Sequence, residues 1–214
     1  MEETDTKEKI LKGAETLFTK YGIRSISMDD IARHLSVSKK TLYQHFVDKD
    51  ELVTMVTEAH MAYSKKMYEN IRKQSENSID ELHKIGIQVR RHMEEQNPSL
   101  LFDIQKFHPK AWNAWVEHKN NYIYNSIVRN IKQGIKDGLI RADVNTEIFA
   151  QLRLATIQVC CDEQVFPREK FSMAEVQSQV FEHFVLGLCT EKGKKLYQKY
   201  KENNHKLLTN ETAL

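Results

Sequence analysis

Apolar residues recur at three- and four-residue intervals along nearly the whole chain, which is the spacing of amphipathic α-helices. The first stripe predicts a helix over about Lys7 to Tyr21, and Gly22 stands where a left-handed residue closes a helix. No alternating pattern typical of a strand is present, and the chain has only 7 Gly and 3 Pro. The sequence therefore predicts an all-α protein, because scarce turn residues suit long helices.

Two short helices follow the first one. Ser27 is a predicted N-cap for a helix that buries Met28 and Ile31, and Ser38 is a predicted N-cap for a helix over Lys39 to Phe46. A three-residue turn at 36–38 separates them. This arrangement predicts a helix-turn-helix, whose second helix enters the major groove of DNA.

A longer fourth helix is predicted from Asp48 to beyond Ile71, followed by a polar stretch at 73–78. Apolar stripes then predict C-terminal helices at about 79–93, 99–107, 110–136, 145–161, 172–189 and 191–206. Ser172 and Glu175 have the spacing of a capping box. We therefore expect an N-terminal three-helix DNA-binding domain of residues 1–50, linked by the long helix to a C-terminal helical domain of residues 51–214.

The positive charge is local. The formal net charge of +2 is too small to indicate nucleic-acid binding by itself. Between residues 31 and 49, however, four Lys or Arg side chains stand against one acidic side chain. Such a focused patch is sufficient to attract phosphates.

Other features argue against several classes of protein. No apolar run approaches the roughly 20 residues of a membrane helix, and the acidic N-terminus does not resemble a secretory signal. Cys160, Cys161 and Cys189 form no disulfide framework, which predicts a cytoplasmic protein. No metal-ligand spacing, phosphate loop or nucleophile elbow is visible, so we expect no metal, no cofactor and no enzyme activity. An enzyme and a helical protein-interaction module remain the alternatives to DNA binding.

The predicted second helix of the motif has one face for DNA. With Leu42 and Phe46 facing inward, Lys39, Lys40, Tyr43 and Gln44 lie on its outer face, where Lys suits guanine and Gln suits adenine. The side chains placed to reach phosphates are Thr41, Tyr43, His45 and Lys49. Ser27, beside free backbone amides at a helix N-terminus, offers an anion site.

Several segments of this region resemble a known signature. Ile-Ala at 31–32, VSKKTLYQHF at 37–46 and KDEL at 49–52 are similar to the signature of the TetR family of bacterial repressors, and the resemblance covers about residues 6 to 56. Two positions depart from the pattern: Ser36 replaces the usual Gly of the turn, which predicts slight backbone strain, and Lys40 replaces a small residue.

The resemblance implies a function. In the family this region binds operator DNA, and its contact positions correspond here to Ser27, Lys39, Lys40, Thr41, Tyr43, His45 and Lys49. It further implies a homodimer, and a small-molecule pocket in the C-terminal helices. We expect a repressor that an inducer releases from double-stranded operator DNA, with the long fourth helix as the lever.

The C-terminal sites follow from pattern together with the resemblance. Pairing of the last two helices across a two-fold axis predicts a dimer interface that includes Leu152, Val180, Phe184 and Leu188; the alternative is that these side chains pack within one subunit. Because binding pockets favour aromatics, the candidate ligand residues are Phe102, Phe107, Trp112, Trp115 and Tyr122. Inward-facing Glu117 or Asp103 would favour a cationic ligand, and inward-facing Arg90 or Arg153 an anionic one.

Overall fold

The structure is a computed structural model that describes residues 2–211, with side chains described for residues 6–204. Its regular secondary structure consists of helices, joined by connecting segments. Its α-helices are α1 (Glu2–Tyr21), α2 (Met28–Leu35), α3 (Lys39–His45), α4 (Lys49–Lys73), α5 (Ser78–Glu95), α6 (Leu100–Phe107), α7 (Pro109–His118), α8 (Tyr124–Lys136), α9 (Thr146–Val159), α10 (Met173–Leu188) and α11 (Glu191–Glu211). One isolated antiparallel bridge joins Ile140 to Cys189. The all-α prediction is confirmed.

Side-chain caps fix where several helices begin. The Ser27 hydroxyl oxygen accepts from the Asp30 amide at 3.2 Å, and Asp30 accepts in return from the Ser27 amide at 2.9 Å, which completes a capping box. Asn145 caps α9 by accepting from the Ile148 amide at 3.1 Å. The predicted box at Ser172 is wrong in one respect: Ser172 is the N-cap of α10, but its side chain makes no capping hydrogen bond.

The predicted continuous helix over 110–136 is interrupted. Between α7 and α8 the chain forms a π-helical turn over Lys119–Ile123. A π-turn widens the helix by one residue and so rotates the side chains that follow it relative to those before it. Periodicity could not reveal this, because the apolar stripe continues across the insertion.

The chain divides into two compact units, each with its own core. The first unit comprises the chain up to Lys66 together with Glu95–Lys119, and the second comprises Met67–Glu94 together with the chain from Asn120 onward. The first core contains Phe18, Ile31, Leu42 and Phe46, along with Ile104 and Ala111 of α6 and α7. The second core contains Ile79, Ile131, Ile140, Phe184 and Leu188. The functional division at residue 50 remains a prediction.

No helix in the described part of the chain is both long enough and apolar enough to cross a membrane.

Candidate nucleic-acid interface and cavity

The α2–turn–α3 segment has the geometry of a helix-turn-helix. Ile31 of α2 and Leu42 of α3 are fully buried, and Phe46 immediately after α3 is buried with them. Ser36 closes α2 in the left-handed conformation, with φ 55° and ψ 38°. The Val37 amide then donates to the Ala32 carbonyl at 3.0 Å, so the chain reverses within the predicted three residues.

The outer face of α3 carries the predicted base-reading side chains. Lys40 and Gln44 are exposed, and Tyr43 is 46% exposed although it is aromatic. Lys39 is also exposed, but its ammonium group lies 2.7 Å from the Asp29 carboxylate of α2. This hydrogen bond raises the pKa of Lys39. A DNA contact by Lys39 would therefore require it to leave Asp29, whereas Lys40 has no ion pair in the described structure.

Three of the side chains predicted to contact phosphates already have partners within the protein. Ser27 caps α2, and its hydroxyl donates to Asp30 at 2.5 Å. Thr41 shares a hydrogen bond of 2.7 Å with the Ser38 hydroxyl, the N-cap of α3. His45 is half-buried, with its ring 6.4 Å from that of Phe46. These side chains lie beside the exposed face, and each is oriented by a neighbour within the motif.

Lys49 has a structural contact that sequence reasoning missed. Its ammonium donates to the Ile23 carbonyl at 2.6 Å, which ties the start of α4 to the loop between α1 and α2. Burial lowers its pKa, against the opposing effect of the Asp103 and Asp30 carboxylates. Lys49 thus braces the motif, whether or not its remaining N–H groups reach a phosphate.

Helices α6 and α7 belong to the same compact unit as the motif, which sequence reasoning also missed. The buried Asp103 carboxylate accepts from the Arg24 amide at 3.4 Å and from the Ser99 hydroxyl at 3.3 Å. His108 Nδ1 lies 2.8 Å from Asp50 Oδ1 at the start of α4. No local sequence signal announces these contacts, because their partners are 58 and 79 positions apart.

The second unit contains a cavity of about 190 Å³. Its walls come from the end of α4, from α5, from the π-turn with α8, and from α9 and α10. The apolar lining consists of Leu82, Ile85, Val89, Ile123, Ile127, Ile131, Ile157, Phe181 and Phe184. Such a concave and mainly apolar space with a few polar groups is typical of a small-molecule site.

Charged and polar side chains also line the cavity. Arg129 donates to both oxygens of the buried Glu81 carboxylate, at 2.5 and 3.1 Å. Asn130 also donates to Glu81, at 2.9 Å. Arg153 is 4% exposed, and its guanidinium lies 4.7 Å from the centre of the Phe181 ring. Burial lowers the pKa of Arg153 to about 10, so the side chain remains charged at neutral pH.

The five candidate ligand residues are not brought together. Tyr122 lines the cavity, where burial raises the pKa of its phenol. Phe102 and Phe107 form an edge-to-face pair in the first unit, and Phe102 is 53% exposed. Trp112 and Trp115 stack at 5.2 Å in the first unit as well. These four aromatics do not line the cavity, because α6 and α7 pack with the helix-turn-helix.

The candidate dimer residues differ in their exposure to solvent. Phe184 and Leu188 are 8% and 0% exposed and belong to the core of the second unit, so they pack within one subunit as the alternative supposed. Val180 is half-buried. Leu152 is 48% exposed and shares one face of α9 with two other exposed apolar side chains, Ile148 and Val159.

Cys160 and Cys189 are buried. Burial raises the pKa of the Cys160 and Cys189 thiols to about 11, which keeps them protonated and unreactive. Within the described residues, no group of three His, Cys, Asp or Glu side chains is arranged to hold a metal ion.

Comparison with known proteins agrees with this geometry. The model of the tetR family of bacterial regulatory proteins matches residues 10–56. An HTH-type transcriptional regulator of Bacillus subtilis, YvaF, is 26% identical over 171 residues, which cover 78% of this chain and 87% of YvaF. The HTH-type transcriptional repressor KstR2 of Mycobacterium tuberculosis is 21% identical over 143 residues, covering 65% of this chain and 72% of KstR2.

Solved structures share the fold. The structure of KstR2, a ketosteroid transcriptional regulator, superposes with a TM-score of 0.62 at 19% identity, covering 87% of this chain and 96% of KstR2. A transcriptional regulator from Saccharomonospora viridis in complex with choline gives a TM-score of 0.70 at 17% identity, covering 88% of this chain and all of the other. Residues 10–56 therefore match the tetR family of bacterial regulatory proteins and the fold is shared with regulators of solved structure, so this chain is a DNA-binding transcriptional regulator that is similar to the TetR family.

Proposed function

We propose that the chain is a repressor that binds a near-palindromic operator as a homodimer and is released when a small molecule occupies the cavity of the second unit. The observation that carries this proposal is the exposed face of α3, where Lys40, Tyr43 and Gln44 project from a helix held by a buried core. DNA contact is assigned to residues 1–50. Ligand binding and dimerisation are assigned to residues 51–214.

A dimer is needed because the helix-turn-helix of one subunit makes too few contacts to bind an operator tightly and specifically. The surface proposed for dimerisation is the exposed apolar face of α9. Ile148, Leu152 and Val159 lie four and seven positions apart, which places them on one side of the helix. Pairing of α9 and α10 with their copies would cover this face in a four-helix arrangement.

Ligand response is proposed because the cavity is too large to be a packing defect and is lined as a binding site would be. A ligand weakens operator binding only by as much as it prefers the form of the protein that does not bind DNA. A typical coupling of 1–3 kcal/mol reduces operator affinity by about 5- to 150-fold.

The test begins with operator selection from random duplexes. Full-length protein should enrich a near-palindrome whose half-sites are about one helical turn, or a multiple of it, apart. A panel of one-ring carboxylates, amines and alcohols is then screened for compounds that raise the melting temperature. At least one stabilising compound should weaken binding to the selected duplex, and the duplex should weaken binding of that compound by the same factor. Stabilising compounds that leave operator affinity unchanged would contradict the inducer model.

A further inference from the structure

The cavity contains one buried cation without an anionic partner. Arg153 on α9 is 4% exposed, yet no carboxylate lies within ion-pair distance of it in the described structure. Its contacts are the Phe181 ring and the Thr156 hydroxyl, the latter at 3.3 Å. Neither neutralises the charge. A buried charge is costly unless it is paired and hydrogen-bonded, so this guanidinium favours an anion beside it.

The cavity wall as a whole also has more positive than negative side chains. The lining has three arginines, Arg72, Arg129 and Arg153, and two glutamates, Glu69 and Glu81. Glu81 is already engaged by both N–H groups of Arg129 and by Asn130. The lining therefore carries one positive charge in excess. Of the two arginines that do not bind Glu81, Arg72 is exposed to solvent and Arg153 is buried, so Arg153 has the greater need of an anion. This charge balance matches a monoanion better than a doubly charged phosphate.

The rest of the cavity sets the size and polarity of the ligand. About 190 Å³ is somewhat more than the roughly 150 Å³ cavity that accommodates benzene. The aliphatic side chains of α5 and α8, with Phe181 and Phe184 of α10, provide an apolar wall. There is room for one ring or a short alkyl chain together with a small polar head.

We propose that the effector is a small apolar monocarboxylate, whose carboxylate pairs with Arg153 and whose ring or alkyl chain fills the apolar part of the cavity. This inference rests on the proposed function, in which this cavity is the effector site. The guanidinium fork can donate two parallel N–H groups to a carboxylate, which fixes the head group while the apolar body is buried.

The structure disfavours a cationic effector at this position. The two acidic residues considered from the sequence, Asp103 and Glu117, lie in the first unit and do not line the cavity. The Phe181 face, which could otherwise attract a cation, already holds the Arg153 guanidinium. A ligand ammonium would therefore meet a like charge where its aromatic partner should be.

The experiment uses full-length protein and three isosteric probes, 3-phenylpropionate, 3-phenylpropionamide and 3-phenylpropylamine, with octanoate as an alkyl comparison. Melting temperature and calorimetric titration are measured at pH 7.5. We expect at least one carboxylate to bind at least about tenfold more tightly than the amide, because only the carboxylate carries a formal negative charge opposite Arg153. The amine should not bind. Equal binding of carboxylate and amide, tighter binding of the amine, or no binding by any probe would overturn the proposal.

Two variants locate the effect. Arg153→Met keeps most of the side-chain volume and should abolish the preference for carboxylate, whereas Arg90→Gln, at an exposed arginine of α5, should preserve it. Without ligand, Arg153→Met should melt about 2–4 °C higher than the wild type, because it removes an unpaired buried charge. A lower melting temperature without ligand would show that the guanidinium already has a stabilising partner, and would count against the proposal.

This inference and the proposed function fail differently. Carboxylates that bind through Arg153 but do not weaken operator binding would leave the ligand class standing and remove the inducer model. Release of the operator by an amine or a neutral alcohol from the panel would leave the inducer model standing and overturn the ligand class.

Discussion

The two compact units satisfy their buried polar groups differently. In the first unit, buried Asp103 is hydrogen-bonded to the loop before α2, and buried His108 to the start of α4. In the second unit lie the three buried side-chain polar atoms that have no partner in the described structure, on Ser78, Asn130 and Gln177. The unpaired guanidinium of Arg153 lies there too. Asn130 and Arg153 both line the cavity, and because unsatisfied buried groups are costly, their presence in its wall is typical of a site that a ligand completes.

In the first unit, the buried polar groups Asp103 and His108 are hydrogen-bonded within the unit. Its polar contacts join segments that are distant in sequence, so they hold the reading helix in place while leaving its outer face free. The second unit retains unpaired buried polar groups, and two of them, on Asn130 and Arg153, line its mainly apolar cavity. Single substitutions in each unit test how far its stability and its operator binding depend on these contacts.

The largest effect is expected from Phe184→Glu in the core of the second unit. Phe184 is 8% exposed, so the change removes a large apolar side chain from the core and places a charge in the apolar wall of the cavity. Loss of the aromatic side chain alone costs about 3–5 kcal/mol, and the buried charge adds to this. We expect the second unit to unfold, which loss of helical circular dichroism well below the wild-type melting temperature would show.

The matched change on the surface is Leu152→Glu. Because Leu152 is 48% exposed on α9, its replacement should leave the melting curve of the subunit nearly intact but separate the proposed dimer. Light scattering should then give the mass of one subunit, and operator affinity should fall steeply. A folded, monomeric Phe184→Glu, or a Leu152→Glu that remains dimeric, would reverse the assignment of interior and interface.

A smaller effect is expected from Lys40→Ala on the outer face of α3. Lys40 has no ion pair to exchange, so its loss should cost operator binding about 1–3 kcal/mol if it contacts guanine, with relaxed preference at that base pair. Lys39→Ala should cost less, since the wild-type lysine must first leave Asp29. Quantitative gel shifts at several salt concentrations distinguish the two, with Lys132→Ala on α8 as the control. An equal loss for Lys39→Ala and Lys40→Ala would show that the Asp29 pair has no influence.

Lys49→Met tests the brace within the first unit. The change keeps the apolar stem but removes the ammonium that donates to the Ile23 carbonyl at 2.6 Å. Since Lys49 is partly solvated, we expect a loss of about 1 kcal/mol in the free energy of unfolding, measured by urea denaturation. Operator binding should weaken as well. Reduced binding with unchanged stability would instead identify Lys49 purely as a phosphate contact.

The sequence predicts the helices of the helix-turn-helix well, because the residues that determine them are close together in the sequence. Ser27, Ser38 and the stripe ending at Phe46 each fix a helix end or face within a few residues, so spacing alone is informative. The membership of α6 in the first unit involves long-range contacts, among them the packing of Ile104 in the first core and the hydrogen bond of Asp103 to the Arg24 amide, a pairing across 79 positions that no local pattern encodes. The cavity is equally non-local, since five α-helices and the π-helical turn contribute to its wall.

The sequence does not predict the charge of the cavity wall, for a different reason. Periodicity places Arg153 on α9 but cannot tell whether it faces solvent, because its neighbours Leu152 and Leu154 are both apolar. In the structure Leu152 is the exposed side chain and Arg153 the buried one. Where a charged residue occupies an interior position, the pattern of apolar residues assigns the wrong face.

The smallest expected effect concerns the turn of the motif, at Ser36→Gly. Ser36 has φ 55°, and it is the one non-glycine residue with positive φ among those described. A non-glycine side chain in this region costs about 1 kcal/mol or more, while glycine loses more backbone entropy on folding, which offsets part of the gain.

We therefore expect Ser36→Gly to raise the free energy of unfolding by about 0.5 kcal/mol. Gly138→Ala in the second unit is the matched control, because Gly138 has φ 67° and a Cβ there would meet nothing within 4 Å. That substitution isolates the backbone cost, and it should destabilise the protein by a similar amount. Urea denaturation of both variants measures the two effects with opposite signs. A Ser36→Gly variant less stable than the wild type, beside a destabilised Gly138→Ala, would contradict the prediction and mean that a contact of the serine in the turn outweighs the backbone strain.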